Sequence, residues 1–243
     1  PARSGKTQKN VFIVLKAALE SAVQLEHIGR NVCNAVKLPR YSPKKVVPPS
    51  IAEAETLMIA ADRTRYGPMA RLAAWTGLRE GECIRLEWKD LDLQAGLLYV
   101  REAKWDSEGT LILPPECVDM LIAHRISQRE ELQRLGLKPK GSWVFLNTAG
   151  GQVDAGGLKR TWKREVQTKT GLPYSFHALR HFHAAAMIRA GLPVKTIQDR
   201  MRHKQSSTTL DIYGHLMAGL QQDAADRISQ ALREVLSPAP NLD

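Results

Sequence analysis

The sequence predicts a mainly α-helical protein with one small antiparallel β-sheet, and three observations carry that expectation. Apolar residues recur at three- and four-residue spacing over several long stretches, as one face of a helix requires. Strand-like runs gather in one place, where "GLLYV" and "GTLILP" flank the turn-like "KWDSEG", a hairpin pattern. No internal repeat and no low-complexity block points to a solenoid or a tail.

The elements follow in chain order. Residues 10–28 read as an amphipathic helix through Val11, Leu15, Ala18, Ala22 and Leu25. The stretch "KLPRYSPKKVVPPS" holds four prolines and four basic residues in 14 positions. Proline removes backbone donors, so this is an extended linker. Its charge suits a phosphate backbone and equally suits a solvated linker. Ser50 and Glu53 form a capping box that starts the next helix. A second helix over roughly 67–76 stops at Gly77, and "LREGECIRL" gives a short third. The hairpin spans 97–113, and a long helix with Val118, Leu121, Ile122, Ile126 and Leu132 on one face covers 115–135. "SWVFLN" is a short strand or extended segment. Three helices follow in "AGGLKRTWKREVQ", "FHALRHFHAAAMIRA" and "PVKTIQDRM", the last with Pro193 suited to a first turn. A terminal helix covers about 217–236, with Leu220, Ala224, Ile228, Ala231 and Leu232 on its apolar face.

Composition narrows the function classes. The 243 residues carry a net charge of +10, which favours a polyanionic partner, nucleic acid being the commonest. No apolar run approaches the roughly 18 residues of a membrane span, and no secretory signal opens the chain. Pro1 in place of Met suggests an excised fragment. Cys33, Cys83 and Cys117 lie far apart without a Cys-x-x-Cys pair. They fit reduced thiols in a cytoplasmic protein better than a zinc ribbon or a disulfide framework.

Candidate chemistry lies in four stretches. In "SFHALRH", His177 and Arg180 share a helix face near its start, where an anion is favoured, although scattered surface charges give the same pattern. His177 and His181 have the four-residue spacing of a zinc pair. With no carboxylate in the segment and Arg180 beside them, a metal is not expected. In "TGLREGE", Arg79 leaves a turn where Glu82 can orient it, or the two form an ordinary exposed pair. Lys104 lies on the hairpin turn, placed for a DNA groove, for proton donation or for plain solvation. Tyr213, in "SSTTLDIYGHL", anchors a loop to the core or attacks a phosphate.

Singly these signals are weak, but their order and spacing are specific. "TGLREGE", "HALRH" and "MRHKQSSTTLDIYGH", with a hairpin lysine between, make residues 48–236 resemble the tyrosine recombinase (phage integrase) family. The resemblance implies the catalytic-domain fold of these DNA breaking-rejoining enzymes over residues 50–243. It also implies the last helices of a truncated core-binding domain over 1–40 and a basic linker over 41–49. Arg79 and Arg180 would hold the scissile phosphate, with Glu82 supporting the first. Lys104 would be the general acid, His177 the acid/base histidine, His203 the later histidine and Tyr213 the nucleophile of a 3′-phosphotyrosyl intermediate. Strand exchange would pass through a Holliday junction, with no metal, cofactor or ATP.

The implied partner is double-stranded DNA at recombination sites, bound by a homotetramer whose terminal helix packs in cis or, as is frequent in the family, docks on a neighbouring protomer in trans. The implied setting is cytoplasmic and nucleoid-associated, for a protein that is bacterial or phage-encoded. Lys44, Lys45, Lys159, Arg160 and Lys163 are the expected backbone contacts. A type IB topoisomerase-like relaxing enzyme and a non-catalytic basic DNA-binding protein are the alternatives. Ala178, Phe182, His183 and Arg202 depart from the family pattern, Arg202 standing where a glycine is usual. Gly109 stands near a position that is often basic.

Overall fold

The computed structural model describes residues 5–37, 46–101, 108–202, 213–214, 225–226, 228–229 and 232–233. The chain divides into two compact units, Pro1–Lys45 and Val46–Asp243. In the first, α1 (Gly5–Gln24) is followed by a 3-10 turn, Val32–Ala35. Asn31 joins the two: its amide donates to Lys16 O at 2.9 Å and Glu20 Oε2 at 2.7 Å, and its carbonyl oxygen caps Cys33 N at 3.0 Å. No residue of α1 is buried, and Val11, Ile13, Val14 and Leu15 are exposed.

The second unit begins with α2 (Ile51–Asp62), started as expected by the Ser50–Glu53 capping box, with reciprocal bonds of 2.8 and 3.2 Å. Then come α3 (Gly67–Thr76) and α4 (Glu80–Arg85). The sheet has three strands in the order β1 (Leu91–Asp92), β2 (Leu97–Val100), β3 (Gly109–Ile112), all antiparallel. The hairpin forms in the register Leu98↔Leu111 and Val100↔Gly109. Leu98, Val100 and Leu111 face inward in the period-two pattern of a half-buried sheet. β1 was not visible in the sequence, because two residues are too short to show alternation.

α5 (Pro115–Arg134) closes one side of the core. "SWVFLN" is extended and bonds its backbone to Leu86 and Trp88 through two single contacts, Val144 N to Leu86 O and Trp88 N to Ser142 O. α6 (Ala155–Thr161), a π turn (Trp162–Gln167) and α7 (Thr168–Thr170) run without a break. The π turn inserts an extra residue that a 3.6-residue pattern cannot reveal. Within it Trp162 is buried, donating Nε1–H to Tyr174 O at 2.9 Å and meeting Phe176 edge-on. Finally α8 (Ala178–Arg189) packs on α3, and α9 (Val194–Met201) packs on α8.

The core runs through Leu57, Met69, Leu72, Leu98, Leu121, Leu158 and Leu179, all fully buried. Burying each such side chain contributes about 1.5–3 kcal/mol. A second buried cluster joins Ala184, Met187 and Ile188 of α8 to Ile197 and Met201 of α9 and to Tyr213. Among the described residues no helix is long and apolar enough to cross a membrane. Most of the terminal helix expected at 217–236 lies outside the described residues, and Ala225, Asp226, Ile228, Ser229, Leu232 and Arg233 are helical.

Candidate active site

The site begins where α3 stops. Gly77 takes a left-handed φ of +67°, and a Cβ there would fall 2.7 Å from the His183 ring. Only glycine satisfies both demands. The turn delivers Arg79 to the start of α4. Glu82, three residues on, reaches back and accepts from Arg79 N–H at 2.7 Å and from Arg79 Nη1 at 2.7 Å. The carboxylate thus satisfies an orphan amide of the helix and fixes the guanidinium at once. Burial works to raise the Glu82 carboxyl, but Arg202 and Arg79 outweigh it and hold it below its ordinary value. Arg202, at the end of α9, donates Nη2–H to Glu82 Oε2 at 2.6 Å.

Arg180 lies in the first turn of α8 and is buried. It donates to Gly77 O and Met201 O, the carbonyls at the ends of α3 and α9. Such carbonyls have no partner within their own helix and carry the negative end of the helix dipole. They therefore hold a cation inside the fold without a carboxylate. Burial, then the charges of Arg79 and Arg202, lower the Arg180 guanidinium to about 10, still charged at neutral pH.

Tyr213 lies close enough to Arg180 to feel its charge. Only 1% of it is exposed, and its hydroxyl lies 2.7 Å from His181 Nδ1. Burial raises the phenol to about 12, against the pull of the Arg180 charge. The His181 ring meets the His177 ring edge-on at 4.9 Å and the Tyr213 ring at 5.8 Å. Burial first, then His177 and Arg180, lower His181 to about 4, so it is neutral at pH 7 and can accept a hydrogen bond from the phenol. His177 precedes the first residue of α8, and burial lowers it too.

The fold therefore brings together five of the seven expected catalytic and supporting residues: Arg79, Glu82, His177, Arg180 and Tyr213. Lys104, His203, Lys44 and Lys45 lie outside the described residues. Lys159, Arg160 and Lys163 are exposed along α6 and the π turn. Lys159 Nζ is 3.5 Å from Glu80, next to Arg79, and Arg160 is 3.6 Å from Asp154. Two further residues belong to the site. His181 was read only as half of a zinc spacing, although its place directly after Arg180 puts it on the adjoining helix face. Arg202 was read as a packing change, and no local pattern marks it as a ligand of Glu82. Among the described residues no group of three or more His, Cys, Asp or Glu side chains is placed to hold a metal ion. The three cysteines are buried and unpaired.

A profile described as "Phage integrase family" matches residues 50–219. The chain belongs to that family. It is 28% identical to the tyrosine recombinase XerC-like protein of Caldanaerobacter subterraneus, over 93% of this chain and 66% of that protein. It is 25% identical to the ICEBs1 integrase of Bacillus subtilis, over 94% of this chain and 67% of the relative. The chain thus spans about two thirds of the length of these two curated relatives. Tyrosine recombinase XerA of Pyrococcus furiosus is 26% identical over 92% of this chain. In fold, the chain is similar to the Tn1549 transposon integrase in complex with transposon right end DNA, with a TM-score of 0.75 and 22% identity, covering 98% of this chain and 81% of that one. The XerA recombinase crystal structure gives a TM-score of 0.61, covering 96% and 78% of the two chains. The mainly helical fold with its small antiparallel sheet is that of the integrase catalytic domain.

Proposed function

We propose that this chain breaks and rejoins double-stranded DNA at specific sites by transesterification, as part of a site-specific recombinase. The observation that carries the proposal is the placement of two adjacent residues of α8. Arg180 adjoins the Arg79–Glu82–Arg202 cluster, while His181 is hydrogen-bonded to Tyr213. Cations suited to a phosphate and a phenol with its proton acceptor thus share one short helical segment.

In this reading Arg79 and Arg180 bind the non-bridging oxygens of the scissile phosphate, where negative charge grows in the transition state. Tyr213 Oη attacks phosphorus and its proton passes to a neighbouring imidazole, His181 being the one in contact. The P–O5′ bond breaks, and Lys104 is assigned to protonate the departing 5′-oxygen. The 3′-phosphotyrosyl ester keeps the energy of the broken bond, so a 5′-hydroxyl of a partner strand reverses the step without ATP. Repeated on the second strand pair, this gives exchange through a Holliday junction. His177 and His203 complete the acid/base set.

Residues 1–40 are assigned to the end of a core-binding domain and 41–49 to a linker along the DNA. Four copies are assigned to the active assembly. Ile228 and Leu232 of the terminal segment are exposed. Between α3 and α8 the catalytic unit carries a groove of about 510 Å³ lined by Trp75, Phe182, Ala186, Met187 and Leu192. We assign that groove to the 217–236 helix of a neighbouring copy. Deleting 219–243 is expected to lower the mass of the DNA complex in sedimentation, and an unchanged complex removes the assignment.

The test of the reading is covalent capture. A nicked duplex built from the DNA flanking the gene should give a protein–DNA adduct with the native chain and none with Tyr213→Phe. Recombination between paired sites, as against relaxation of any supercoiled plasmid, separates a recombinase from a relaxing enzyme.

A further inference from the structure

We infer that Arg202 is a positioning residue of the phosphate site, setting the angle of the Arg79 guanidinium through Glu82. The inference rests on the functional reading of Arg79 and Tyr213 above.

Three features of Arg202 lead to it. Its backbone is left-handed, with φ 51° and ψ 50°, a conformation that residues with a Cβ adopt uncommonly. Such a conformer persists only where its surroundings over-determine it. The side chain is also buried, only 4% exposed, and among the described residues its Nε and Nη1 have no hydrogen-bond partner. Its charge is therefore held by the single contact with Glu82. The third feature is that Arg202 meets Arg79 by two routes. Its carbonyl accepts from Arg79 Nη2 at 3.3 Å, and its Nη2 binds the Glu82 oxygen that also takes the Arg79 amide.

These contacts divide the carboxylate between two cations. Oε1 serves Arg79 Nη1, and Oε2 serves Arg202 Nη2 and Arg79 N–H. Both oxygens are occupied, so the carboxylate plane is fixed and the Arg79 fork with it. Stability does not account for the arrangement. A left-handed arginine is less stable than a glycine there, and a buried ion pair is poor evidence of net stabilisation. The stem needs its own space: a Cβ on Gly109, at the loop end of the hairpin, would come within 3.3 Å of Arg202 Cδ. The small residue at 109 and the large one at 202 fit each other.

The test uses the full chain and single-turnover cleavage of the nicked flanking-DNA duplex at saturating protein, with DNA affinity and thermal unfolding measured beside it. Glycine relieves the left-handed backbone, but Arg202→Gly takes one cation from buried Glu82, so it should unfold somewhat below the native temperature while binding DNA unchanged. Its cleavage rate should fall about 10- to 100-fold, as expected for a displaced phosphate ligand. Arg202→Lys keeps the charge without the fork and should lie between. Glu82→Gln/Arg202→Gly should be no slower than Glu82→Gln alone, because the two act on Arg79 in series. A native rate in Arg202→Gly, or losses that multiply in the double variant, overturns the inference. If Arg202→Gly is insoluble, a native rate in Arg202→Lys overturns it as well. Absence of a Tyr213-dependent adduct from the native chain would instead remove the functional reading, so the two failures are distinct.

Discussion

Two arginine–glutamate contacts in this molecule share their chemistry and differ in their setting. Arg65, just after α2, reaches α5 through Nη2 alone, which donates to both oxygens of Glu131 at 2.9 and 3.1 Å, with side chains 21% and 40% exposed. Glu82 joins the start of α4 to the end of α9 with 5% exposure, bound by Arg79 and Arg202 together. Water screens the first pair, so its net contribution is small. The second has no water to replace a lost partner, and its geometry is passed to the Arg79 guanidinium. Sequence separation is no guide to which is which: Glu82 lies three residues from Arg79 and 120 from Arg202, while Arg65 and Glu131 are 66 apart. Burial and the second cation separate them.

The largest expected effect comes from emptying the buried centre. Glu82→Ala leaves the buried Arg202 guanidinium without its carboxylate and should cost about 3–5 kcal/mol in chemical denaturation. Cleavage should fall with it, and near-native stability would mean that Arg202 finds another partner. Next is the proton acceptor. His181→Ala should slow single-turnover cleavage about 100-fold or more while leaving DNA affinity in place. Smaller again is Gly77→Ala. The left-handed backbone alone should cost roughly 1–2 kcal/mol, and contact with the His183 ring adds to it. The smallest effect is expected at the exposed pair: Glu131→Ala should cost about 0.2–1 kcal/mol and leave cleavage untouched. Equal losses from Glu131→Ala and Glu82→Ala would erase the distinction drawn here.

Acid should act on the buried region in one direction. His181 and His183 are both lowered from 6.5 to about 4, chiefly by burial. His183 is held neutral, its Nδ1 bonded to Ala74 O at 3.0 Å and its Nε2 facing Arg200 at 3.3 Å. Below pH 6.5 the unfolded chain takes up protons that the folded chain refuses until about pH 4. Stability is therefore full above 6.5 and falls as the pH drops from 6.5 towards 4. Glu82, held below its ordinary value, adds a loss of the same sign at lower pH. Thermal unfolding followed from pH 8 to 4 checks this. If His181 accepts the phenol proton, the acid limb of cleavage should track its protonation near pH 4 rather than 6.5.

Much of the fold was legible because its signals are local. The Ser50–Glu53 box, the Gly77 stop and the hairpin alternation each lie within a few residues of what they specify. The α5 stripe misled in part: Ile122 and Ile126 are exposed, and the helix turns Cys117 and Leu121 to the core. The π turn at Trp162–Gln167 and the two-residue β1 were not legible, since neither changes a periodic pattern. In the site, Arg79, Glu82, His177, Arg180 and Tyr213 were found through motif spacing. His181 and Arg202 were missed because their roles depend on partners 32 and 120 residues away. Chain folding makes those pairings, and local sequence does not record them.

The account rests most heavily on Tyr213 as the group that attacks DNA. Its direct measurement is adduct formation on a nicked duplex, read by denaturing gel and by mass spectrometry of the DNA-linked peptide. The account predicts a single phosphotyrosyl linkage at Tyr213 in the native chain and no adduct in Tyr213→Phe. An adduct that survives Tyr213→Phe, or one mapped to another residue, would contradict it.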